Sequence, residues 1–137
     1  MVRIPQCEIA EAMGIVKSAA HKHPGTHGIE IGVRRGSRLS LRGSAQGQVT
    51  LAFGETGLLD ELAGQDLPAL TPKTLTDPDQ LHRRIAETAR IGHAFAPEET
   101  RLGVNALAAP VFDHGGRLVA TVALIGSIQH LSTSPAE

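Results

Sequence analysis

The sequence predicts an α+β domain: an antiparallel or mixed sheet flanked by helices, preceded by a short helical segment. Three features lead there. Ile29, Ile31 and Val33 alternate with Glu30, Gly32 and Arg34, the period of a half-buried strand. The last third reads as a hairpin, in which Leu102 to Phe112 is rich in Val, Leu and Ala, residues 113–116 (Asp-His-Gly-Gly) turn, and Leu118 to Ile125 returns. Between these strands lie segments with helical spacing and cap residues, and strands at both ends with helices between them favour a sheet backed by helices.

The elements follow in order. Pro24 and Gly25 break any preceding helix, so the chain divides into residues 1–25 and residues 26–137. Before the break, Ile9, Ala12 and Met13 have the i, i+3, i+4 spacing of a short amphipathic helix; Gly14 offers its stop, and Ser18 caps a second helix containing His21. Beyond the strand at Ile29, Leu39 and Leu41 continue the alternation. Ser44 caps a helix running through Val49 to Phe53, and Gly54 closes it. Thr56 opens another, with Leu58, Leu59 and Leu62 on one face. The clearest helix has Asp77 as cap and Pro78 in its first turn, presents Leu81, Ile85, Thr88 and Ala89 inward, and ends at Gly92, where a left-handed cap belongs.

Composition removes several classes of function. Hydrophobic residues make up 41% of the 137, enough for a core and too many for a disordered chain. Aromatics are only 2%, with no Trp or Tyr, which excludes a base-stacking platform for single strands. With a net charge of -1, nucleic-acid affinity would need a local basic patch. The lone Cys7 excludes an internal disulfide framework and a cysteine zinc cluster. The longest apolar stretch, Leu118 to Ile125, is far short of the roughly 20 residues that span a bilayer, and the N-terminus lacks a secretory h-region. A soluble cytoplasmic protein without membrane association is expected.

No constellation suggests catalysis. In residues 43–47 (Gly-Ser-Ala-Gln-Gly) the serine stands one place too early for a nucleophile elbow, and neither a P-loop nor a dinucleotide fingerprint is present. The chain is expected not to be an enzyme and to carry no cofactor. His21, His23 and His27 have a spacing that can hold zinc or nickel, but no cysteine or nearby carboxylate completes the set; no metal is expected. His93, His114 and His130 fall at turns or element ends and read as solvated. Glu98 and Glu99 read as a surface turn or subunit contact, and Arg34, Arg35, Arg38 and Arg42 as a solvated basic face on strands.

Three stretches from Ile31 onward resemble the effector domain of the IclR family of bacterial transcription regulators. The first is residues 36–47 (Gly-Ser-Arg-Leu-Ser-Leu-Arg-Gly-Ser-Ala-Gln-Gly) with Leu51-Ala52. The second joins residues 75–81 (Leu-Thr-Asp-Pro-Asp-Gln-Leu) to residues 91–99, from Ile91-Gly92 to Glu98-Glu99. The third and most specific is residues 103–113 (Gly-Val-Asn-Ala-Leu-Ala-Ala-Pro-Val-Phe-Asp). The resemblance implies a GAF-like fold. Residues 8–23 are similar to the family's helix-turn-helix, with Gly14 at the turn and Ser18 capping a recognition helix. Lys17, Ser18, His21 and Lys22 would then face DNA, while the other reading is a solvated basic helix that no longer binds it. His23-Pro24-Gly25 ends that helix at once; the wing, the linker helix, the opening strands and a C-terminal helix after Leu131 are missing. The chain therefore looks like an internally shortened member.

In the family the small-molecule pocket is lined by the first strand, the N-terminus of the helix opened by Ser44, and the final hairpin. The resemblance places Ile31, Ala45, Gln46, Ala96, Val104, Ala106, Ala123 and Ile125 around it, with the Arg34 to Arg42 stretch near its mouth. The amides of Ala45, Gln46 and Gly47 open a helix and can receive an anion. Relatives that bind small hydrophilic acids carry polar side chains near Ala96 and at Ala106, Ala123 and Ile125. All four are apolar here, and each buried polar group left unpaired costs about 1–3 kcal/mol. The expected effector is a small organic acid with an apolar body; the other reading is a filled core without ligand. Two functions follow: a ligand-responsive regulator acting as a homodimer or homotetramer, or a sensor module without its own DNA binding that pairs with full-length relatives.

Overall fold

The structure, a computed structural model, describes residues 39–66 and 68–131. The predicted strand at Ile29, the proposed helices within residues 8–23, the histidine spacing at residues 21–27 and Arg34, Arg35 and Arg38 lie outside the described residues, as does the boundary between residues 25 and 26. Six elements follow in order: α1 (Ala45–Phe53), α2 (Leu58–Ala63), α3 (Pro78–Ile91), β1 (Ala94–Pro97), β2 (Val104–Phe112) and β3 (Leu118–Ser127). The architecture is α+β, as expected. The strands form one antiparallel sheet in the order β1-β2-β3.

α1 holds these layers together. It contains no charged residue, and Ala45, Gly47, Gln48, Val49, Thr50 and Leu51 are all buried. A helix apolar or uncharged all round belongs inside a domain. Ala45 and Val49 pack on the sheet with Ala94, Ala96, Ala106 and Ala108. Leu51 belongs to a second cluster with Leu41, Leu58, Leu62, Leu81 and Ile85, which ties α1 to α2 and α3.

The capping residues act as the sequence predicts. The Ser44 side chain accepts from the Gly47 N–H at 3.0 Å and donates to the Ser40 carbonyl at 2.6 Å. The Asp77 side chain accepts from the Asp79 N–H, and Gly92 ends α3 in the left-handed region at φ 87°. α2 starts two residues later than predicted, after Gly57 at φ 96°, a conformation that Thr56 would adopt only at a cost.

Four local expectations differ from the structure. Leu39 to Leu41 lead into a turn rather than extending a strand, because Ser40 accepts from both Gly43 and Ser44 and folds the chain onto the start of α1. β1 has no counterpart in the sequence reading, since four residues give too short an alternation to stand out. β2 begins at Val104, with Leu102 exposed in the preceding turn. Ala89 is exposed, so the inward stripe of α3 is Leu81, Ile85 and Thr88.

Gly47 marks the closest approach. A Cβ there would lie 2.2 Å from the Leu41 carbonyl oxygen and 2.4 Å from its Cα. Both are backbone atoms, which cannot swing aside as a side chain can. Gly47→Ala is expected to lower stability by about 1–3 kcal/mol through overpacking, while Gly64→Ala, whose nearest neighbour would be 3.5 Å away, changes little. Urea unfolding midpoints of the two variants check this, and equal midpoints would remove the packing argument.

Candidate functional site

The sheet's inner face is built from small residues in register. Ala94 pairs with Ala108 and Ala96 with Ala106 across β1 and β2. Ala106 pairs with Ile125 and Ala108 with Ala123 across β2 and β3. Directly opposed residues share a face, so the alternation brings these side chains to the side on which α1 lies. Ala45, Ala96, Ala106, Ala123 and Ile125, named from sequence, thus meet in one cluster with Val49, Phe53 and Leu118. Val104 is buried on β2 beyond this cluster, opposite Ser127. Gln46 is half-buried in the first turn of α1. Ile31 and the four DNA-facing candidates, Lys17, Ser18, His21 and Lys22, lie outside the described residues.

The clustered side chains carry no polar atom; Thr121 and Ser127, paired with Pro110 and Val104, stand on the same face at either end of the cluster, and Ala45 brings the first turn of α1 against it. Ser44 takes the Gly47 N–H, while the Ala45 and Gln46 N–H groups have no acceptor within the helix and face its positive end.

Beside it runs a buried polar network absent from the sequence reading. Glu99 is 1% exposed, not part of a surface turn. Its carboxylate accepts from Arg84 Nη1 at 2.6 Å and from Gln48 Nε2 at 2.9 Å. Gln48 also donates to the Arg42 carbonyl at 2.8 Å, and Arg84 to the Phe95 carbonyl at 3.1 Å. The network therefore links α1, α3, β1 and the turn before β2. The loop before α3 is clamped to the same turn: the Thr71 hydroxyl donates to the Glu98 carbonyl at 2.8 Å and the Thr74 hydroxyl to the Glu99 carbonyl at 2.6 Å. A signal existed in Arg84, which stands three residues after Leu81 and four before Thr88 on an inward stripe; a cation there calls for a buried anion.

Glu98 behaves differently. It occupies φ 53°, accepts the Gly103 N–H at 2.8 Å and pairs with Lys73, so its carboxyl is held below the usual range by Lys73 and that amide. Arg42 is also corrected: it is 2% exposed and donates to the Pro68 carbonyl rather than forming a solvated face. Burial pulls its pKa down against the opposing pull of Asp66. Its Nε and Nη1, with Gln48 Oε1, have no hydrogen-bond partner. Of the histidines, His114 is exposed in the hairpin turn, His93 is half-buried, and exposed His130 meets the Ser127 hydroxyl at 2.9 Å. Among the described residues, no three His, Cys, Asp or Glu side chains gather as a metal site, and no helix is long and apolar enough to cross a membrane.

The family model for the C-terminal domain of IclR bacterial transcriptional regulators matches residues 10–136. The chain belongs to the IclR family. It is 36% identical over 92 residues to the HTH-type transcriptional regulator XynR of Escherichia coli, spanning 66% of this chain and 36% of XynR. It is 32% identical over 117 residues to the Pca operon regulatory protein of Acinetobacter baylyi, spanning 84% of this chain and 41% of that protein. The chain thus spans about two fifths of the length of these curated relatives. The crystal structure of Thermotoga maritima IclR superimposes with a TM-score of 0.70 at 30% identity, covering 90% of this chain and 55% of that one. An IclR homolog from Microbacterium hydrocarbonoxydans, complexed with 4-hydroxybenzoate, gives a TM-score of 0.68 at 26% identity, covering 78% and 43%. The fold and the IclR assignment read from the sequence therefore agree with all four.

Burial pushes the Glu99 carboxyl above its ordinary value of 4.5, against the opposing pull of Arg84 and Gln48. A group whose folded pKa is raised contributes stability that is complete below its unfolded value and is lost as pH rises through the folded one. The wild-type contribution of Glu99 should therefore decline as pH rises above 4.5. Glu99→Gln should be less stable at neutral pH, because Arg84 loses its counter-ion, but should lack that decline. Urea midpoints for both proteins between about pH 4 and pH 8 check it; parallel curves would assign the slope to another group.

Proposed function

We propose that the chain acts as the effector-binding domain of an IclR-type transcription regulator and takes a small organic acid with an apolar body. The observation that carries the reading is the apolar cluster on the inner sheet face, where Ala45, Ala96, Ala106, Ala123 and Ile125 gather against the start of α1. An aromatic or alicyclic ring would lie along these residues, with Val104 and Ile31 at the margins and the carboxylate on the Ala45 and Gln46 amides. Binding of 4-hydroxybenzoate by the Microbacterium homolog supports a hydroxybenzoate-sized acid. Hydroxyl-rich acids would lose hydrogen bonds to water and gain none from this face.

Calorimetric titration tests the preference. An aromatic monocarboxylate is expected to bind and glyoxylate to give no heat; the reverse order would overturn the reading. Ala106→Leu, which fills the face, should weaken the aromatic acid at least tenfold, about 1.4 kcal/mol.

A ligand changes DNA occupancy only if it binds two states of the assembly with different affinity. In one form, Lys17, Ser18, His21 and Lys22 within residues 1–25 contact DNA directly, and the chain associates as a homodimer or homotetramer. In the other, residues 26–137 serve as a sensor that pairs with full-length relatives. The match to the C-terminal domain begins at residue 10, inside the helix-turn-helix-like segment, and favours the second. Fluorescence anisotropy on the chain's own upstream DNA, titrated across salt, separates them: selective binding that weakens steeply with salt supports the first, and no binding by folded protein at low salt supports the second.

A further inference from the structure

α2 is lightly anchored. It is six residues long, lies between Gly57 at φ 96° and Gly64, and buries only Leu58 and Leu62. Those two side chains complete the leucine cluster with Leu41, Leu51, Leu81 and Ile85. A helix this short is not stable alone, so its position depends on what ties it to its neighbours. Among the described residues, α2 makes one hydrogen bond through a side chain, between Asp60 Oδ1 and His82 Nε2 of α3 at 3.1 Å.

The other ring nitrogen of His82 faces an acceptor too. Its Nδ1 lies 2.8 Å from the Pro78 carbonyl oxygen, one turn back along α3. A neutral imidazole has one N–H and one lone pair, so it serves one of these oxygens and sets its lone pair against the other. The imidazolium has two N–H groups and serves both. The charged groups acting on the ring are Asp60 of α2 and Asp79 of its own helix, and both favour the cation. The bond to Asp60, and after it the bond to Pro78, holds the His82 pKa above its ordinary 6.5 against the opposing pull of desolvation. With 42% of the His82 side chain and 83% of the Asp60 side chain exposed, the pair stays in contact with water and responds to bulk pH.

We propose that His82 is a pH-responsive latch: as the imidazolium it bridges Pro78 and Asp60 and fastens α2 over the leucine cluster, and on losing its proton it releases that tie. A group whose folded pKa is raised contributes stability that is complete below its unfolded value and is lost as pH rises through the folded one. The latch is therefore closed below pH 6.5 and opens as the pH climbs beyond it. Local opening of an element with few buried residues costs less than global unfolding, so release loosens α2 over Leu41, Leu51 and Leu81 without dissolving the domain. This device goes beyond effector binding and does not rest on it.

Two NMR measurements on the full chain test it. The ring signal of His82, assigned by its loss in His82→Gln, should titrate above 6.5 in the wild type and move down in Asp60→Asn. The Glu61 and Gly64 amides bond to the Gly57 and Asp60 carbonyls, so their hydrogen exchange reports α2 opening. Corrected for its intrinsic rise with pH, that opening should increase about two- to fivefold between about pH 6 and pH 8, the range of an exposed ion pair. The increase should vanish in His82→Gln and Asp60→Asn and persist in Glu61→Gln, which removes a neighbouring acid that does not bond His82. A His82 pKa at or below 6.5, or opening independent of pH in the wild type, would overturn the proposal. So would an increase that survives in Asp60→Asn or His82→Gln, or one that is lost in Glu61→Gln.

Discussion

The rest of the structure depends on how closely Leu41 approaches α1 at Gly47. With no side chain at Gly47, the preceding turn lies directly on the helix, and that contact fixes where the first turn of α1 points. Ser44 then serves two purposes: it caps the helix and bonds back to Ser40, so the turn and the helix start form one rigid unit. Because α1 is buried against the sheet on one side and against α2 and α3 on the other, any shift of its start is felt in both apolar clusters.

A buried ion pair is a poor source of stability, since desolvation offsets most of its attraction. The Glu99 network makes better sense as a positional device. Glu99 accepts one donor from α3 and one from α1, its carbonyl accepts from Thr74, and Arg84 reaches on to the backbone of β1. These bonds have direction, whereas the leucine cluster beside them tolerates sliding. A register error along α3 would leave the Glu99 charge buried and unpaired, which costs several times what the pair itself contributes. The left-handed Glu98 is held next to it by its own bonds to Gly103 and Lys73, so the strained residue and the buried one form consecutive parts of one turn.

What was legible in the sequence follows from the range of the interactions. Caps at Ser44, Asp77 and Gly92, the hairpin turn at residues 113–116 and the stripe of Leu81 and Ile85 are set by neighbours within a few residues, and each can be read from spacing alone. The gathering of Ala45, Ala96, Ala106, Ala123 and Ile125 came from a resemblance, because no local rule ties a helix start to three strands. The burial of Glu99 and Arg42 is hidden from the sequence for the same reason. Adjacent glutamates and a run of arginines look solvated locally, and only partners 51 and 26 residues away in the chain, Gln48 and Pro68, reveal them as buried. β1 is not legible in the sequence because four residues, two of them alanine, give no contrast between faces.

The inverted sheet is the feature that joins structure to function. If the sheet needed only to stabilise a core against α1, branched residues would face the helix, since each buried methylene contributes about 0.8 kcal/mol. Instead β2 turns Ala106 and Ala108 toward α1 and Leu107 and Val111 away from it. Alanine on the inner face gives up that stabilisation at several neighbouring positions, all beside the positive end of one helix. Such a sacrifice is intelligible where an apolar guest supplies the missing contacts, for then part of the folding energy of the domain becomes available only on binding. The same alternation turns Leu107, Val122 and Leu124 to the other face, where Val122 and Leu124 are exposed, so the choice of small residues within has its cost on the outer side of the sheet.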